Sequence, residues 1–235
     1  MKIIKFGGTS VGSVENVKKI DEIIRNQQSD LIVVVSAVGG VTDLLLSAAN
    51  AGAKGNDVTP VLKNIWAKHE NILTGLFDKT TLKEVEEKMK NLFDELEKIL
   101  QGVRLIGELT PKTLDKVMGF GERLSSLFIS RYLNAELIDS AAIICTDKNH
   151  GRANVDFRVT YEQIGKACSG LKKIAVAPGF ISSAPDGTMT TLGRGGSDYT
   201  AALFAAAFGK RSCKACTVIP SCCRASIALM AASAA

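Results

Sequence analysis

The stretch Thr191-Leu192-Gly193-Arg194-Gly195-Gly196-Ser197-Asp198-Tyr199-Thr200 sets three glycines around an arginine, then runs into the small apolar residues Ala201 to Ala207. Good helix formers fill that run, and no Gly or Pro interrupts it before Gly209, so it reads as a turn that opens a helix. Glycines let backbone N–H groups approach an anion, and a helix N-terminus adds partial positive charge. Arg194 offers a planar fork for a carboxylate or a phosphate. Asp198 falls in the first helical turn, where a carboxylate either caps the helix or helps to hold a metal. A second cluster lies at the other end of the chain. The β-prone run Lys2 to Phe6 ends at Gly7-Gly8-Thr9-Ser10, and a helical pattern follows from about Ser13 to Arg25. Backbone N–H groups there can hold phosphate oxygens while Lys5 supplies a point charge; the alternative is a tight βα turn with a surface lysine. No Lys-Ser/Thr follows the spaced glycines, so the loop is not a Walker A loop.

Two further residues stand out. Thr42 follows Ser36-Ala37-Val38-Gly39-Gly40-Val41, a glycine turn before a helix expected from Leu44. It either hydrogen-bonds a small substrate at the sheet edge or caps that helix. Glu122 sits at the start of an otherwise apolar helix after Gly119-Phe120-Gly121. Its carboxylate either pairs with a substrate ammonium, interacts with the helix dipole, or bridges to Arg123.

The elements that must position these groups follow from periodicity. Leu31 to Val35 is a continuous β-branched run suited to a central parallel strand buried on both faces. Leu137-Ile138, Ala142 to Thr146 and Lys173 to Ala177 read as further strand regions, and Asp186-Gly187 as a hairpin turn. Residues 60 to about 117 read as a helical insert, apolar on one face and charged on the other. The expected architecture is α/β: an open, mainly parallel sheet with helices on both faces. His69 and His150 lack a second histidine at metal-binding spacing, so no metal site is assigned to them.

Composition excludes several classes. The net charge is +5, but Lys210, Arg211, Lys214 and Arg224 have no acidic residue among them, and without these four, residues 1–209 carry +1. With a single Trp and three Tyr there is no stacking series, so no nucleic-acid partner is expected. No signal peptide and no transmembrane run is visible, and cytoplasm is the expected compartment. Only Cys145 and Cys168 precede residue 209, consistent with a reducing environment.

Taken together, the motifs resemble the amino-acid kinase superfamily and, within it, aspartokinase. Lys5 to Ser10 matches the opening signature. Ser36 to Thr42, Gly107 to Pro111, Gly119 to Ser125, Gly179-Phe180-Ile181 and Thr191 to Thr200 follow in the family's order. The resemblance implies transfer of the ATP γ-phosphoryl group to the side-chain carboxylate of L-aspartate. That reaction is the entry to lysine, threonine and methionine synthesis. It assigns Lys5 to the transferring phosphoryl group, helped by Gly7 and Gly8 with Thr9 and Ser10 in the same phosphate-binding loop. It assigns Asp198 to that cationic cluster or the Mg2+ environment, Arg194 to the substrate α-carboxylate and Glu122 to its ammonium. Thr42, Phe180, Gly195 and Ser197 complete the pocket. A homo-oligomeric full-length parent, with or without a fused homoserine dehydrogenase, is also implied. Alternatives are a related kinase for another acidic substrate, or a fragment that binds aspartate only.

The resemblance is read over residues 1 to about 208, as the catalytic domain. Residues 209–235 read as an atypical Cys/Ala-rich tail, disordered or out of frame, with the C-terminal part of the fold missing. Within it Cys213, Cys216, Cys222 and Cys223 are a weak zinc pattern.

Overall fold

Alternate residues of three short apolar runs face opposite ways, and this fixes where the helices go. The computed structural model describes residues 1–171 and 173–208, together with the backbone of 216–218. Strand β1 (Lys2–Phe6) pairs in parallel with β2 (Leu31–Val35). Helix α1 (Val14–Arg25) crosses between them; Ser13 caps it by accepting from the Asn16 N–H, and Val17, Ile20 and Ile24 are buried. On the sheet, Ile4, Phe6, Leu31, Val33 and Val35 join one core while Ile3, Ile32 and Val34 join the other. All five residues of β2 are buried, as a strand covered on both faces requires. Each such side chain contributes about 1.5–3 kcal/mol by leaving water.

The first core takes α2 (Val41–Ala53), α3 (Thr59–Leu76), α4 (Lys79–Ile106), α5 (Pro111–Met118) and α6 (Phe120–Tyr132). The expected insert is thus three helices, α3 to α5. Strand β3 (Glu136–Leu137) follows, then α7 (Ser140–Ile143) and α8 (Phe157–Cys168), then β4 (Ile174–Pro178). The hairpin of β5 (Ile181–Ser183) and β6 (Met189–Thr191) is antiparallel and turns at Asp186-Gly187 as expected. Helix α9 (Gly196–Ala207) and strand β7 (Cys216–Val218) complete the described chain. Helices α7, α8 and α9 pack on the second core, so the sheet carries helices on both faces.

The main sheet runs β3-β4-β2-β1-β7, all parallel. From β1 the chain builds outward through β2 to β4 and then returns to the other side of β1. The carboxyl end of β1 therefore lies at the topological switch point, where open α/β sheets bind ligands.

Three local expectations change. Ala142 to Ile143 lies in α7, not in a strand, and Cys145 and Thr146 form only isolated bridges to Ser183 and Val155. The reason is a cap: Asp139 accepts from the Ala141 N–H and starts a helical turn, while Ile143 and Ile144 still reach the core. Helix α2 begins at Val41 rather than Leu44. Gly40, at φ +79°, is its N-cap with no side-chain cap, so Thr42 lies inside the first turn and does not cap it. The expectation of a break after residue 208 meets one described element beyond it, β7 in register with Ile4, Lys5 and Phe6. The cysteine side chains of that tail lie outside the described residues.

Candidate functional site

Three turns leave the same edge of the sheet, after Phe6, Val35 and Pro178, and they are packed together too closely for any residue but glycine. A Cβ on Gly8 would lie 2.6 Å from the Ala37 carbonyl oxygen, and the Gly39 N–H donates to the Gly8 oxygen at 3.0 Å. A Cβ on Gly121 would lie 2.7 Å from the Ala37 Cβ. One on Gly179 would lie 2.6 Å from Ser197, and one on Gly196 2.8 Å from the Phe180 ring. The glycines are thus required by close approach, which joins the loop at Gly7-Gly8, the turn before α2, the start of α6 and the start of α9 into one surface.

Lys5 and Asp198, 193 positions apart in sequence, meet at 3.0 Å. The lysine side chain is 12% exposed and the aspartate 58%. A buried stem with a reachable head suits a lysine that presents its ammonium to a ligand. That ammonium stands over the glycine loop, since a Cβ on Gly7 would be 3.9 Å from Nζ. Ser10 is buried, and its N–H donates to the Gly7 oxygen. Asn16 Nδ2 holds the exposed Thr9 by donating to its carbonyl at 2.9 Å.

Glu122 is the unusual group. It is 5% exposed, its Oε1 accepts the Ala37 N–H at 3.1 Å, and its Oε2 has no partner among the described residues. Burial pushes its carboxyl up from an ordinary 4.5 to about 8, opposed by the Ala37 N–H and by the charge of Lys5. It does not bridge to Arg123, which instead pairs with Glu95 at 3.0 Å and stacks over the Phe120 ring. A buried carboxyl with one oxygen unsatisfied is costly and suits an incoming cation.

Phe180 is held at φ +69°, with the Ile181 N–H donating to the Gly179 oxygen at 2.7 Å across it. This is a tight γ-type turn, a strained conformation for a residue with a side chain. The Phe180 N–H is tied to Thr200 Oγ1 at 3.1 Å, which locks the turn to α9. Ser197 is buried beside Gly179. Gly195, at φ +76°, is the N-cap of α9. Arg194 and Thr42 have no side-chain partner among the described residues; Arg194 is exposed and Thr42 half-buried. Lys5 lies in β1, Gly7 to Ser10 in the loop after it, Thr42 in the first turn of α2, Glu122 in that of α6, Phe180 just after β4, and Arg194 to Asp198 around the start of α9.

The chemistry available is cationic at Lys5 and Arg194 and acidic at Glu122 and Asp198, with the Gly7-Gly8 loop beside the Lys5 ammonium. Among the described residues no group of three His, Cys, Asp or Glu side chains is placed to hold a metal. Mg2+ needs less, often one or two carboxylates plus substrate phosphates, and the exposed Asp198 beside the loop fits that pattern. Two concavities, of about 330 and 400 Å3, lie against α4 and α6 and against α5 and the β5–β6 hairpin; the second is also lined by Arg123 and Ile181, next to Glu122 and Phe180. In the first Arg131 pairs with Glu84, and in the second Lys116 and Arg123 both pair with Glu95.

The family model described as Amino acid kinase family matches residues 1–220. The chain belongs to the amino acid kinase family. The match passes residue 208 and takes in β7. Among curated proteins the chain is similar to the aspartokinase of Chlamydia muridarum, 32% identical over 208 residues, covering 86% of this chain and 44% of that protein. It is also similar to the bifunctional aspartokinase/homoserine dehydrogenase of Buchnera aphidicola, 29% identical, covering 91% of this chain and 28% of that protein. Among solved structures it superposes on Escherichia coli aspartokinase III in complex with aspartate and ADP. The TM-score is 0.80 at 28% identity, over 94% of this chain and 49% of that one. The chain therefore spans less than half the length of these relatives.

Asp115 and Ala37 were not legible as site residues. Asp115 is 2% exposed and hydrogen-bonds His150 at 2.7 Å, so His150 is not isolated. Nothing in sequence spacing signals that pair, because its members are 35 positions apart. Ala37 contributes through its backbone, which a residue-type reading does not weigh. His69 is a core residue: its Nδ1 meets the Ile65 carbonyl at 2.7 Å and its ring lies between Phe93 and Phe128.

Proposed function

We propose that this chain is the aspartate- and phosphate-binding part of an aspartokinase. The enzyme transfers the γ-phosphoryl group of ATP to the side-chain carboxylate of L-aspartate. The observation that carries the reading is the juxtaposition of Lys5 with Asp198 beside the Gly7-Gly8 loop, together with the buried, half-satisfied Glu122. An amino acid with an ammonium and two carboxylates needs groups of both signs, and this surface supplies them. Glu122 takes the ammonium, Arg194 the α-carboxylate, and Thr42, Phe180, Gly195 and Ser197 shape the pocket around the side chain.

In the reaction the bond from the γ-phosphorus to the bridging oxygen breaks and leaves with ADP. A bond forms from phosphorus to a side-chain carboxylate oxygen, giving 4-phospho-L-aspartate. The acceptor is ionised at neutral pH, so no base has to remove a proton. Catalysis is then positioning and charge neutralisation. Lys5 meets the charge on the phosphoryl oxygens, the N–H groups of Gly7, Gly8 and Thr9 line their approach while that of Ser10 closes the loop onto the Gly7 oxygen, and Asp198 orients the Lys5 ammonium. Mg2+, held by Asp198 with the phosphates, would supply further neutralisation. The product is the entry to lysine, threonine and methionine synthesis.

Hydroxylamine traps acyl phosphates. The expected result is a hydroxamate signal that depends on both ATP and L-aspartate; a signal independent of aspartate would count against the assignment.

A further inference from the structure

Asp115 is a buried acid that the proposed reaction does not use. It sits in α5, and its carboxyl group collects donors from two distant segments. Oδ1 accepts Thr191 Oγ1 at 2.5 Å and the Gly151 N–H at 3.0 Å. Oδ2 accepts the same N–H at 3.1 Å and meets His150 Nδ1 at 2.7 Å. A buried carboxyl group is expensive unless its oxygens are satisfied, and here both are.

The connections lead to both charged grips of the site. Thr191 ends β6, three positions before Arg194. Its carbonyl accepts the Ala153 N–H at 3.0 Å, so the loop that Asp115 clamps is also tied to the strand end. The next residues are seated against that loop: a Cβ on Gly193 would lie 3.1 Å from the Gly151 oxygen and 3.5 Å from Arg152 Cγ. In the other direction α5 passes through Gly119 directly into α6, whose first turn carries Glu122. One side chain thus joins the helix pair that ends in the anionic group to the turn that carries the cationic one.

We propose that Asp115 is a positioning residue that fixes the spacing between Glu122 and Arg194, and so the fit of one amino acid between them. The inference rests on the reading of the site given above. It makes the Thr191 hydroxyl the link that can be cut without emptying the site. Thr191→Val keeps the shape and removes the donor; Thr191→Ser keeps the donor. Asp115→Asn replaces the charged acceptor by a neutral amide, so the bonds from Thr191 and His150 lose their charge assistance.

The test is hydrogen exchange across residues 193–196 and 119–122, with calorimetric titration of L-aspartate and of ADP, on the unmodified chain and these variants. Thr191→Val and Asp115→Asn are expected to speed exchange at 193–196 about tenfold or more, the effect of one strong buried hydrogen bond. They should weaken L-aspartate about tenfold while leaving ADP unchanged, and Thr191→Ser should restore both. Unchanged exchange and affinity in Thr191→Val overturns the inference. Equal weakening of both ligands also overturns it, because that is what general loosening would do. If the unmodified chain binds no L-aspartate, the proposed function fails, and exchange alone decides the link: unchanged protection at 193–196 in Thr191→Val overturns it.

Discussion

Replacing Glu122 by glutamine removes one titratable proton and almost no volume from the site, so its effects isolate the ionisation of that carboxyl. Burial raises it from 4.5 to about 8 in the ligand-free fold. At about 1.4 kcal/mol per pH unit, ionising it in the folded chain costs on the order of 5 kcal/mol more than in the unfolded chain. The sign follows. Below pH 4.5 both states hold the proton and nothing is lost. As pH rises from about 4.5 to about 8, the unfolded chain releases the proton first and the folded state loses stability. Denaturant melts of the ligand-free chain should therefore show stability falling over that window, and Glu122→Gln should lack this component. Binding behaves inversely. If the ammonium of L-aspartate pairs with ionised Glu122, binding releases a proton. Near pH 6 only about one site in a hundred is ionised, so affinity should rise about tenfold per pH unit to about pH 8 and then level off. Calorimetry in buffers of different ionisation enthalpy reads that proton directly. The reasoning is refuted if the unmodified chain binds with the same affinity at pH 6 and pH 8, or if Glu122→Gln keeps the slope.

Other perturbations separate roles. Lys5→Met should lower phosphoryl transfer about 100- to 1,000-fold, as loss of one charge-stabilising donor does, while L-aspartate titrations change little; a trapped-hydroxamate rate within a few-fold of the unmodified chain would be the wrong outcome. His69 is held near 4, well below its ordinary 6.5, chiefly by burial, so stability is present above pH 6.5 and falls as pH drops toward 4. His69→Phe should flatten that acid limb in urea melts between pH 4 and 7, since the unsatisfied Nε2 is gone. Gly179→Ala forces a methyl to 2.6 Å from Ser197 and should cost about 1–3 kcal/mol in thermal or denaturant unfolding, as overpacking does.

Much of the framework is legible in the chain because it is local. The strands at Lys2–Phe6 and Leu31–Val35 and the helix capped by Ser13 are each encoded within a few residues. The glycine turns are legible as well, at Gly7-Gly8, Gly39-Gly40 and Gly193 to Gly196, but the close packing against Gly8, Gly121, Gly179 and Gly196 comes from distant segments and shows only in the fold. What escapes is whatever depends on remote partners. The segment Ala142 to Ile143 has strand-like composition, but the side chain of Asp139 turns it into a helix. Thr42 looks like a cap because Thr often is one, yet Gly40 in the left-handed region does that work. Asp115 reads as one more polar residue of an amphipathic insert, and only the fold brings Thr191, 76 positions away, onto its oxygen. Lys5 and Asp198 were each recognisable from their own turns, but their contact is a property of the sheet order, which sets β1 beneath α9.

The most direct test of the central claim, that groups of both signs on these turns recognise one amino acid, is a calorimetric titration of the chain with L-aspartate beside succinate. Succinate keeps both carboxylates and lacks the ammonium. The account predicts saturable binding of L-aspartate and at least tenfold weaker binding of succinate, the cost of leaving buried Glu122 without its partner. Equal affinity for the two, or no binding of either, would contradict it.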